Sequence, residues 1–261
     1  MPSSRYERAA RKAGHRVIAG LDEAGRGALF GPVFAAAAVL DPDRPIRGLD
    51  DSKQLEPERR EVLAQRIRER SVAWAVGAAD AFEIDRVNIL QAARLAMQRA
   101  IQQLHEKYTY KCDYLLVDAV SVDVPIAQRA LIHGDALCFS IAAASILAKV
   151  ARDAALVEWD RVFPEYGFLH NKGYGTPEHL SALERLGPTA LHRFSFEPVR
   201  SVSRFTEWTG YPARKSKEAR TTQSQAQGEH FSPLSATAEG RSGSFSKTVK
   251  RPRPPVALAC P

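Results

Sequence analysis

Apolar residues recur along the chain with two kinds of spacing, and these predict strands and helices. Continuous or alternating apolar runs predict four strands, at about residues 17–21, 33–40, 72–76 and 113–120. Helical spacing, alanine-rich composition and a Thr-Pro start predict four helices, over residues 57–70, 83–107, 141–159 and 177–186. The stretch 121–140 is predicted to be a loop with room for one more strand.

The order of these elements predicts the fold class. The first two strands are joined by a short, glycine-rich turn and should pair antiparallel, whereas the later alternation of strand and helix favours parallel pairing. We therefore predict an α/β fold with a mixed central sheet flanked by helices. The helix over 141–159 should lie close against that sheet because its side chains are small.

Charge and composition change towards the two ends. Residues 201–261 carry ten Lys or Arg against four Asp or Glu, and residues 1–16 carry five against one, so the part between them is slightly acidic despite a net charge of +7. We predict a flexible N-terminus over 1–14, a folded domain over 15–203 and a basic, largely disordered tail over 204–261. Basic ends suit salt-dependent attraction to a polyanion, but a charged tail can equally serve only solubility.

Some classes of protein are disfavoured. The longest apolar stretch, 33–40, is far short of the roughly 20 residues of a membrane-spanning helix, so we expect no membrane partner. The basic N-terminus is not followed by an apolar segment, which argues against a secretory signal. Cys112, Cys138 and Cys260 form no Cys-x-x-Cys pair, so we expect reduced thiols and a cytoplasmic protein.

Acidic residues end two of the predicted strands. Asp22 and Glu23 follow the first apolar run, Asp118 lies near the end of the fourth, and Asp135 follows in a Gly-Asp step. Four carboxylates without a His or Cys cluster, at strand ends where open α/β sheets bind ligands, favour Mn²⁺ or Mg²⁺ over zinc. Each acid alone could instead cap a helix or form a salt bridge. Consecutive strand residues also face opposite ways, so Asp22 and Glu23 can share one ion only if the strand breaks by Gly25.

A glycine-rich turn, Gly25-Arg26-Gly27, follows the acid pair. Glycines let the backbone approach a ligand closely, so its peptide groups could contact a sugar hydroxyl or a phosphate. The Arg26 guanidinium adds a charged fork. The turn lacks the Gly-Lys-Ser or Gly-Lys-Thr step of a nucleotide-binding P-loop, so that type of site is not expected.

Taken in order, the motifs resemble those of prokaryotic ribonuclease HII. The match rests on LDEAGRG followed by GPV, DDSKQL, LLVDAV, the Gly-Asp step, AAASILAKVARD and HNKGYGT, and it runs from about residue 17 to 199. The resemblance implies a ribonuclease H-like fold with a helical C-terminal extension. It implies an endoribonuclease that hydrolyses the RNA strand of RNA–DNA hybrids and nicks 5′ of single ribonucleotides in duplex DNA. Two-metal hydrolysis with Mn²⁺ or Mg²⁺, leaving a 3′-hydroxyl and a 5′-phosphate, is implied as well.

The resemblance also suggests roles for individual residues. Asp22, Glu23 and Asp118 correspond to the family's metal-binding carboxylates, and Asp135 corresponds to a fourth catalytic acid.

Other positions correspond to residues that contact the substrate. The Gly25-Arg26-Gly27 step matches the element that senses the ribose 2′-hydroxyl, and Tyr174 matches a tyrosine that stacks on the sugar of the next nucleotide. Lys53 and Lys172 match residues near the nucleic-acid backbone.

Two positions depart from the family pattern. Ala119 stands where the family usually has glycine after the third acid, and His133 stands where it often has lysine before the Gly-Asp step. Neither change removes a predicted ligand, so we expect an effect on rate or substrate preference and not on the type of reaction.

The expected partners are RNA–DNA hybrids and ribonucleotide-containing duplex DNA, and we expect a monomer. Two other functions stay open on the sequence. The chain could be a DNA-directed, metal-dependent nuclease of the same fold, or a nucleic-acid-binding protein without catalysis, although simple binders usually carry a basic face.

Overall fold

A computed structural model of the protein describes residues 2–109 and 111–203. The strands are β1 (Ile18–Ala24), β2 (Val33–Val39), β3 (Ala73–Ala79), β4 (Tyr114–Asp118) and β5 (Ala127–Leu131). The helices are α1 (Arg5–Lys12), α2 (Pro57–Arg70), α3 (Ala81–Val87), α4 (Ile89–Lys107), α5 (Gly134–Leu137), α6 (Phe139–Val162), α7 (Phe168–Asn171), α8 (Pro177–Leu186) and α9 (Glu197–Val202). Short 3₁₀ turns lie at Ser52–Gln54 and Pro164–Tyr166.

The five strands form one mixed sheet in the order β3-β2-β1-β4-β5. β2 pairs antiparallel with both β1 and β3, whereas β4 pairs parallel with β1 and β5. The predicted α/β class with a mixed, helix-flanked sheet is confirmed, and β5 occupies the loop in which one more strand was expected.

Helices cover both faces of the sheet, and small side chains let them approach it closely. On one face, α4 packs its alanines and Met97 on a core of alternate β1, β2 and β3 residues. On the other face, the alanines of α6 pack with α2 against Ala36 and Ala38 of β2. α6 comes so near β1 that a Cβ atom at Gly20 would overlap the backbone of Ser140.

The structure corrects the predicted helix over 83–107, which is two helices that meet at Asn88. The backbone of Asn88 has a φ of +72°, which ends α3 and cannot continue an α-helix. Its side chain then caps α4 by accepting hydrogen bonds from the backbone N–H groups of Leu90 (3.0 Å) and Gln91 (3.1 Å). The apolar period passes through the break unchanged, because both helices bury a face on the same core.

The N-terminal segment, predicted to be flexible and frayed or loosely helical over 1–14, contains α1. Glu7 of α1 is buried, and its Oε1 accepts hydrogen bonds from the Ser140 backbone N–H (2.8 Å) and the Cys138 thiol (3.2 Å). The Ser3 backbone N–H donates to the carbonyl of Leu137 at 3.0 Å. These contacts fix the helix to the start of α6.

The C-terminal helices pack on a separate apolar cluster centred on Phe30, which follows the Gly25-Arg26-Gly27 turn. Phe30 stacks on Phe168 with ring centroids 3.8 Å apart, and Leu183 and Val199 complete the buried cluster. This arrangement is the predicted helical extension. The predicted tail over 204–261 lies outside the described residues, and the predicted domain boundaries stay predictions. A search of the described helices finds none with the length and apolarity needed to cross a bilayer.

Replacing Gly20 by alanine should destabilise the protein by about 3 kcal/mol, because the new methyl group would overlap the α6 backbone and force that helix off the sheet. Urea denaturation measures the change in the free energy of unfolding. Gly27→Ala is the matched control, since a Cβ there has as its nearest neighbour the Tyr174 ring at 3.8 Å. Equal stability of Gly20→Ala and the wild type would contradict the close packing of α6 on β1.

Candidate active site

The register of β1 and β4 brings two of the predicted acids together. The parallel pairing aligns Ile18 with Tyr114 and continues to Leu21 with Val117. Its next step places Asp22 beside Asp118, at the ends of adjacent strands that lie about 4.8 Å apart. Two separate parts of the sequence therefore contribute carboxylates to one edge of the sheet.

Asp22 is buried, with 5% of its surface exposed, and it faces α6. Its Oδ1 accepts a hydrogen bond from the backbone N–H of Glu23 at 2.7 Å, and the nearby Ser145 hydroxyl of α6 favours the charged form of the carboxylate, which lowers its pKa. Burial, followed by the charges of Glu23 and Asp118, raises the pKa of Asp22 well above its usual range. The protein alone therefore does not compensate this charge.

Glu23 is held differently from its neighbour. β1 runs through both acids and ends at Ala24, so the two side chains leave the strand in different directions. Glu23 Oε1 accepts from Arg26 Nη1 at 3.1 Å, while Oε2 is buried and has no hydrogen-bond partner within residues 2–109 and 111–203. Burial raises the pKa of Glu23, Arg26 opposes the shift, and the charge of Asp118 adds to it.

Asp118 and Asp135 are joined through the turn that precedes α5. The Gly134 backbone N–H donates to Asp118 Oδ1 at 2.7 Å, which places the Gly-Asp step beside the end of β4. Asp135 is buried, and burial, then the charges of Asp51 and Asp118, raise its pKa. The structure thus brings all four predicted acids into one electrostatically coupled cluster.

The two departures from the family pattern share a backbone conformation. Ala119 has a φ of +55° and His133 has a φ of +56°, a left-handed region that costs a non-glycine residue roughly 1 kcal/mol. A glycine after the third acid would adopt this conformation without that cost. Ala119 adopts it nonetheless, and its backbone N–H donates to the Leu131 carbonyl at 2.9 Å. The turn keeps its hydrogen bond to β5 in spite of the substitution.

Lys53 is the predicted basic residue that lies with the acids. Burial lowers the pKa of Lys53, but the charges of Asp51, Asp135, Asp22 and Asp118 outweigh burial and the net shift is upward.

The loop that carries Lys53 is anchored to α6. The hydroxyls of Ser52 and Ser145 are 2.9 Å apart, which connects the loop to the helix residue whose hydroxyl lowers the pKa of Asp22. Sequence reasoning missed Asp51, Ser52 and Ser145; their positions inside the DDSKQL and AAASILAKVARD motifs were the signal that could have identified them.

The predicted substrate-contacting residues form a second group beside the acids. Gly25 has a φ of +92°, and a Cβ atom there would overlap the side chain of Arg152. Arg152 is 1% exposed, its Nη2 donates to the carbonyl of Lys172 at 2.8 Å, and its guanidinium carbon lies 5.3 Å from the Tyr174 ring centroid. A buried arginine that sequence reasoning missed therefore joins the glycine-rich turn to the turn that carries Lys172, Gly173 and Tyr174, called the tyrosine turn below.

A second buried arginine holds the other end of the glycine-rich turn. Arg193 donates from Nη1 to the Arg26 carbonyl and from Nε to the Gly31 carbonyl, both at 2.9 Å. Burial, with a smaller effect of Arg152, lowers the pKa of Arg193 to about 9. Tyr174 itself is 38% exposed, so its ring is available to a ligand.

The donor set fits a hard divalent cation. All four acids supply oxygen, and among the described residues the buried Glu23 Oε2 has no hydrogen-bond partner. The charge of Asp118 contributes to the raised pKa of Asp22, Glu23 and Asp135. Within the described ranges, no three His, Cys, Asp or Glu side chains already converge on a single ion position. Binding of an ion therefore requires side-chain rotation, in particular at Glu23.

Comparisons with known proteins agree on one family. The model described as Ribonuclease HII matches residues 19–199. Ribonuclease HII of Solibacter usitatus (strain Ellin6076) is 61% identical over 199 residues, which cover 76% of this chain and 86% of the relative. Ribonuclease HII of Koribacter versatilis (strain Ellin345) is 52% identical over 197 residues, which cover 76% of each chain.

A solved structure supports the fold. The crystal structure of the ribonuclease H2 from Pyrococcus horikoshii OT3 is 27% identical, matches with a TM-score of 0.60, and covers 72% of this chain and 97% of that chain. The predicted ribonuclease H-like fold is therefore confirmed.

Replacing Asp22 by asparagine should stabilise the metal-free protein at alkaline pH. The pKa of Asp22 is raised in the folded state, so its charge opposes folding above that pKa, whereas asparagine keeps an oxygen for the Glu23 N–H. We expect a gain on the order of 1 kcal/mol in the free energy of unfolding, measured by urea denaturation with a chelator present.

Asp123→Asn is the matched control, because Asp123 is exposed and its replacement should have little effect. Added Mn²⁺ should raise the melting temperature of the wild type and of Asp123→Asn more than that of Asp22→Asn. A less stable Asp22→Asn protein in chelator would contradict the view that this charge is uncompensated.

Proposed function

The chain belongs to the ribonuclease HII family and is a ribonuclease H enzyme, and from this premise we propose its substrates and its mechanism. The proposed reaction is endonucleolytic hydrolysis of the RNA strand of RNA–DNA hybrids, together with nicking 5′ of single ribonucleotides embedded in duplex DNA. The products carry a 3′-hydroxyl and a 5′-phosphate. We further propose that the protein acts as a cytoplasmic monomer.

One observation carries the proposal: a cluster of buried and half-buried acids lies beside a glycine-rich turn packed under an exposed tyrosine. The acids supply an all-oxygen donor set, and in the described part of the chain the buried Glu23 Oε2 has no hydrogen-bond partner. The Tyr174 ring lies 3.8 Å from where a Cβ of Gly27 would stand. A metal-binding centre and a surface for a sugar therefore adjoin each other.

The proposed cofactor is Mn²⁺ or Mg²⁺, held by Asp22, Glu23 and Asp118, with Asp135 as the fourth catalytic acid. The chemistry that two such ions supply when bound is a lower pKa for the attacking water and stabilisation of the leaving 3′-oxygen. Asp22 and Asp118 are fixed by backbone N–H donors and by strand register. Their negative charges would hold the cations at the site, and the cations would attract a phosphate that the carboxylates alone would repel.

Substrate recognition falls to the second group of residues. The peptide groups of the Gly25-Arg26-Gly27 step contact the ribose 2′-hydroxyl, which is the group that distinguishes RNA from DNA. Tyr174 stacks on the sugar of the next nucleotide, and Lys53 and Lys172 lie near the phosphates. A charged Lys53 is supported by the acids around it, whose charges raise its pKa in spite of its burial.

Asp22→Asn and Asp118→Asn should each lower the rate of cleavage about a thousandfold or more, because each removes a charge that holds the metal ions. The measurement uses a duplex with one embedded ribonucleotide, with Mn²⁺ or Mg²⁺, and maps both product ends. Circular dichroism establishes that each variant is folded, and Asp123→Asn should cleave at the wild-type rate.

Two matched duplexes separate the other functions. An all-DNA duplex should stay intact, whereas a DNA-directed nuclease would cut it as readily as the duplex that contains ribose. Binding measured in chelator, compared with cleavage in Mn²⁺, distinguishes a binder from an enzyme. Full activity of either variant, or a cut elsewhere than 5′ of the ribonucleotide, would refute the proposed mechanism.

A further inference from the structure

Two buried histidines form a continuous hydrogen-bonded chain behind Tyr174. His179 Nδ1 is 2.9 Å from the Tyr174 carbonyl oxygen, and His179 Nε2 is 3.1 Å from Nε2 of His192. At the far end, His192 Nδ1 is 3.0 Å from the Thr189 backbone nitrogen. Both imidazoles are fully buried, among the rings of Phe30, Tyr166 and Phe168.

The two ends of this chain determine where its protons lie. A carbonyl oxygen only accepts, so His179 Nδ1 carries a proton; a backbone N–H only donates, so His192 Nδ1 carries none. Burial lowers the pKa of His179, and burial with the proximity of His179 lowers that of His192 to about 3, so both rings are neutral near pH 7. The central bond therefore runs from His192 Nε2–H to His179 Nε2.

The same pair of hydrogen-bonded histidines connects the tyrosine turn to the glycine-rich turn. The residues on either side of His192 pair with the segment that follows Gly27: the Gly31 N–H donates to the Leu191 carbonyl at 2.9 Å, and the Arg193 N–H donates to the Leu29 carbonyl at 2.8 Å. The Arg193 side chain then holds the Arg26 carbonyl. His192 is thus anchored to one recognition element and His179 to the other.

We propose that His179 and His192 are positioning residues. They fix Tyr174 relative to the Gly25-Arg26-Gly27 step through a series of hydrogen bonds that all run in one direction. The inference rests on the proposed function for the role of Tyr174 at the substrate. It adds that two side chains that never touch the nucleic acid contribute to the spacing between the ribose sensor and the stacking ring, alongside Arg152 and the Leu29–Gly173 backbone bond.

Loss of the His179 bond should shift the tyrosine turn without unfolding it. The Tyr174 carbonyl also accepts from the Thr176 N–H at 2.8 Å, and the Gly173 carbonyl accepts from the Leu29 N–H at 2.8 Å. These bonds remain when His179 is changed. A displacement on the order of 1 Å at a substrate-contacting group is enough to lower catalytic efficiency by up to about a hundredfold.

Nitrogen-15 NMR of the histidine side chains tests the proton order in the intact wild-type protein near pH 7, independently of activity. We expect one buried histidine in the Nδ1–H tautomer, removed by His179→Asn, and one in the Nε2–H tautomer, removed by His192→Asn. Two Nε2–H tautomers, or a protonated ring, would contradict the proposed positions of the protons on His179 and His192.

Kinetics on the single-ribonucleotide duplex test the positioning role. His179→Gln moves the amide away from the Nδ1 position and should lower kcat/KM about tenfold or more. His179→Asn keeps an N–H donor for the Tyr174 carbonyl but loses the bond to His192, so it should recover only part of the loss. His15→Gln, at a half-buried histidine on Tyr114, is the control for the same chemical change elsewhere.

A double-mutant cycle with Tyr174→Ala separates positioning from stability. Once the ring is gone its placement no longer matters, so His179→Gln should have less than about a twofold further effect in that background. Equal losses with and without the ring would overturn the proposal. A wild-type protein that leaves the duplex intact would instead refute the proposed function. The NMR result alone would then decide whether the two histidines form the proposed series of hydrogen bonds.

Discussion

Carboxylates at the ends of β1 and β4 repel one another, and burial makes that repulsion more costly. The parallel register of the two strands places Asp22 beside Asp118, and the close approach of α6 to Gly20 then encloses Asp22. A fold governed by stability alone would not collect acids at this point. The sheet, the alanine-rich helix and the backbone donors on Glu23 and Gly134 together hold an arrangement that only added positive charge can relieve.

The glycine-rich turn is held by a different kind of contact. Arg193 donates to the carbonyl of Arg26 within the turn and to that of Gly31 after it, and Arg152 packs against Gly25 while donating to the carbonyl of Lys172. Positive φ at Gly25 and the absence of its side chain leave room for Arg152. These contacts constrain the turn in spite of its glycines, as its proposed role as a sensor for one hydroxyl group requires.

The sequence was informative wherever one local rule determines the outcome. A proline at the first helical position and a regular apolar face predict α2 with the bounds that the structure has, Pro57–Arg70, and apolar runs locate β1 to β4 within a few residues. The four acids were singled out because each ends an apolar run or lies in a Gly-Asp step, and the structure brings them close together. Their coupling depends on strand register, which periodicity alone does not give.

Features set by tertiary context escaped prediction. Asn88 breaks a helix whose apolar period continues, and α1 is ordered by the burial of Glu7 against α6, more than 130 residues away in sequence. Asp51, Ser52 and Ser145 look like ordinary loop and helix residues until the fold brings them to the acid cluster. The histidine pair carries no sequence signal, since its hydrogen bond depends on two segments that meet only in the folded chain.

The contact between Arg193 and the Arg26 carbonyl spans 167 positions of the chain. During synthesis the strands that carry the acids leave the ribosome long before the segment that shapes the neighbouring loop. A nascent chain that ends before Arg193 would therefore contain its acids without the guanidinium that holds the glycine-rich turn. Under the proposed function, the element that distinguishes ribose from deoxyribose would thus be completed late in synthesis, after the metal-binding carboxylates.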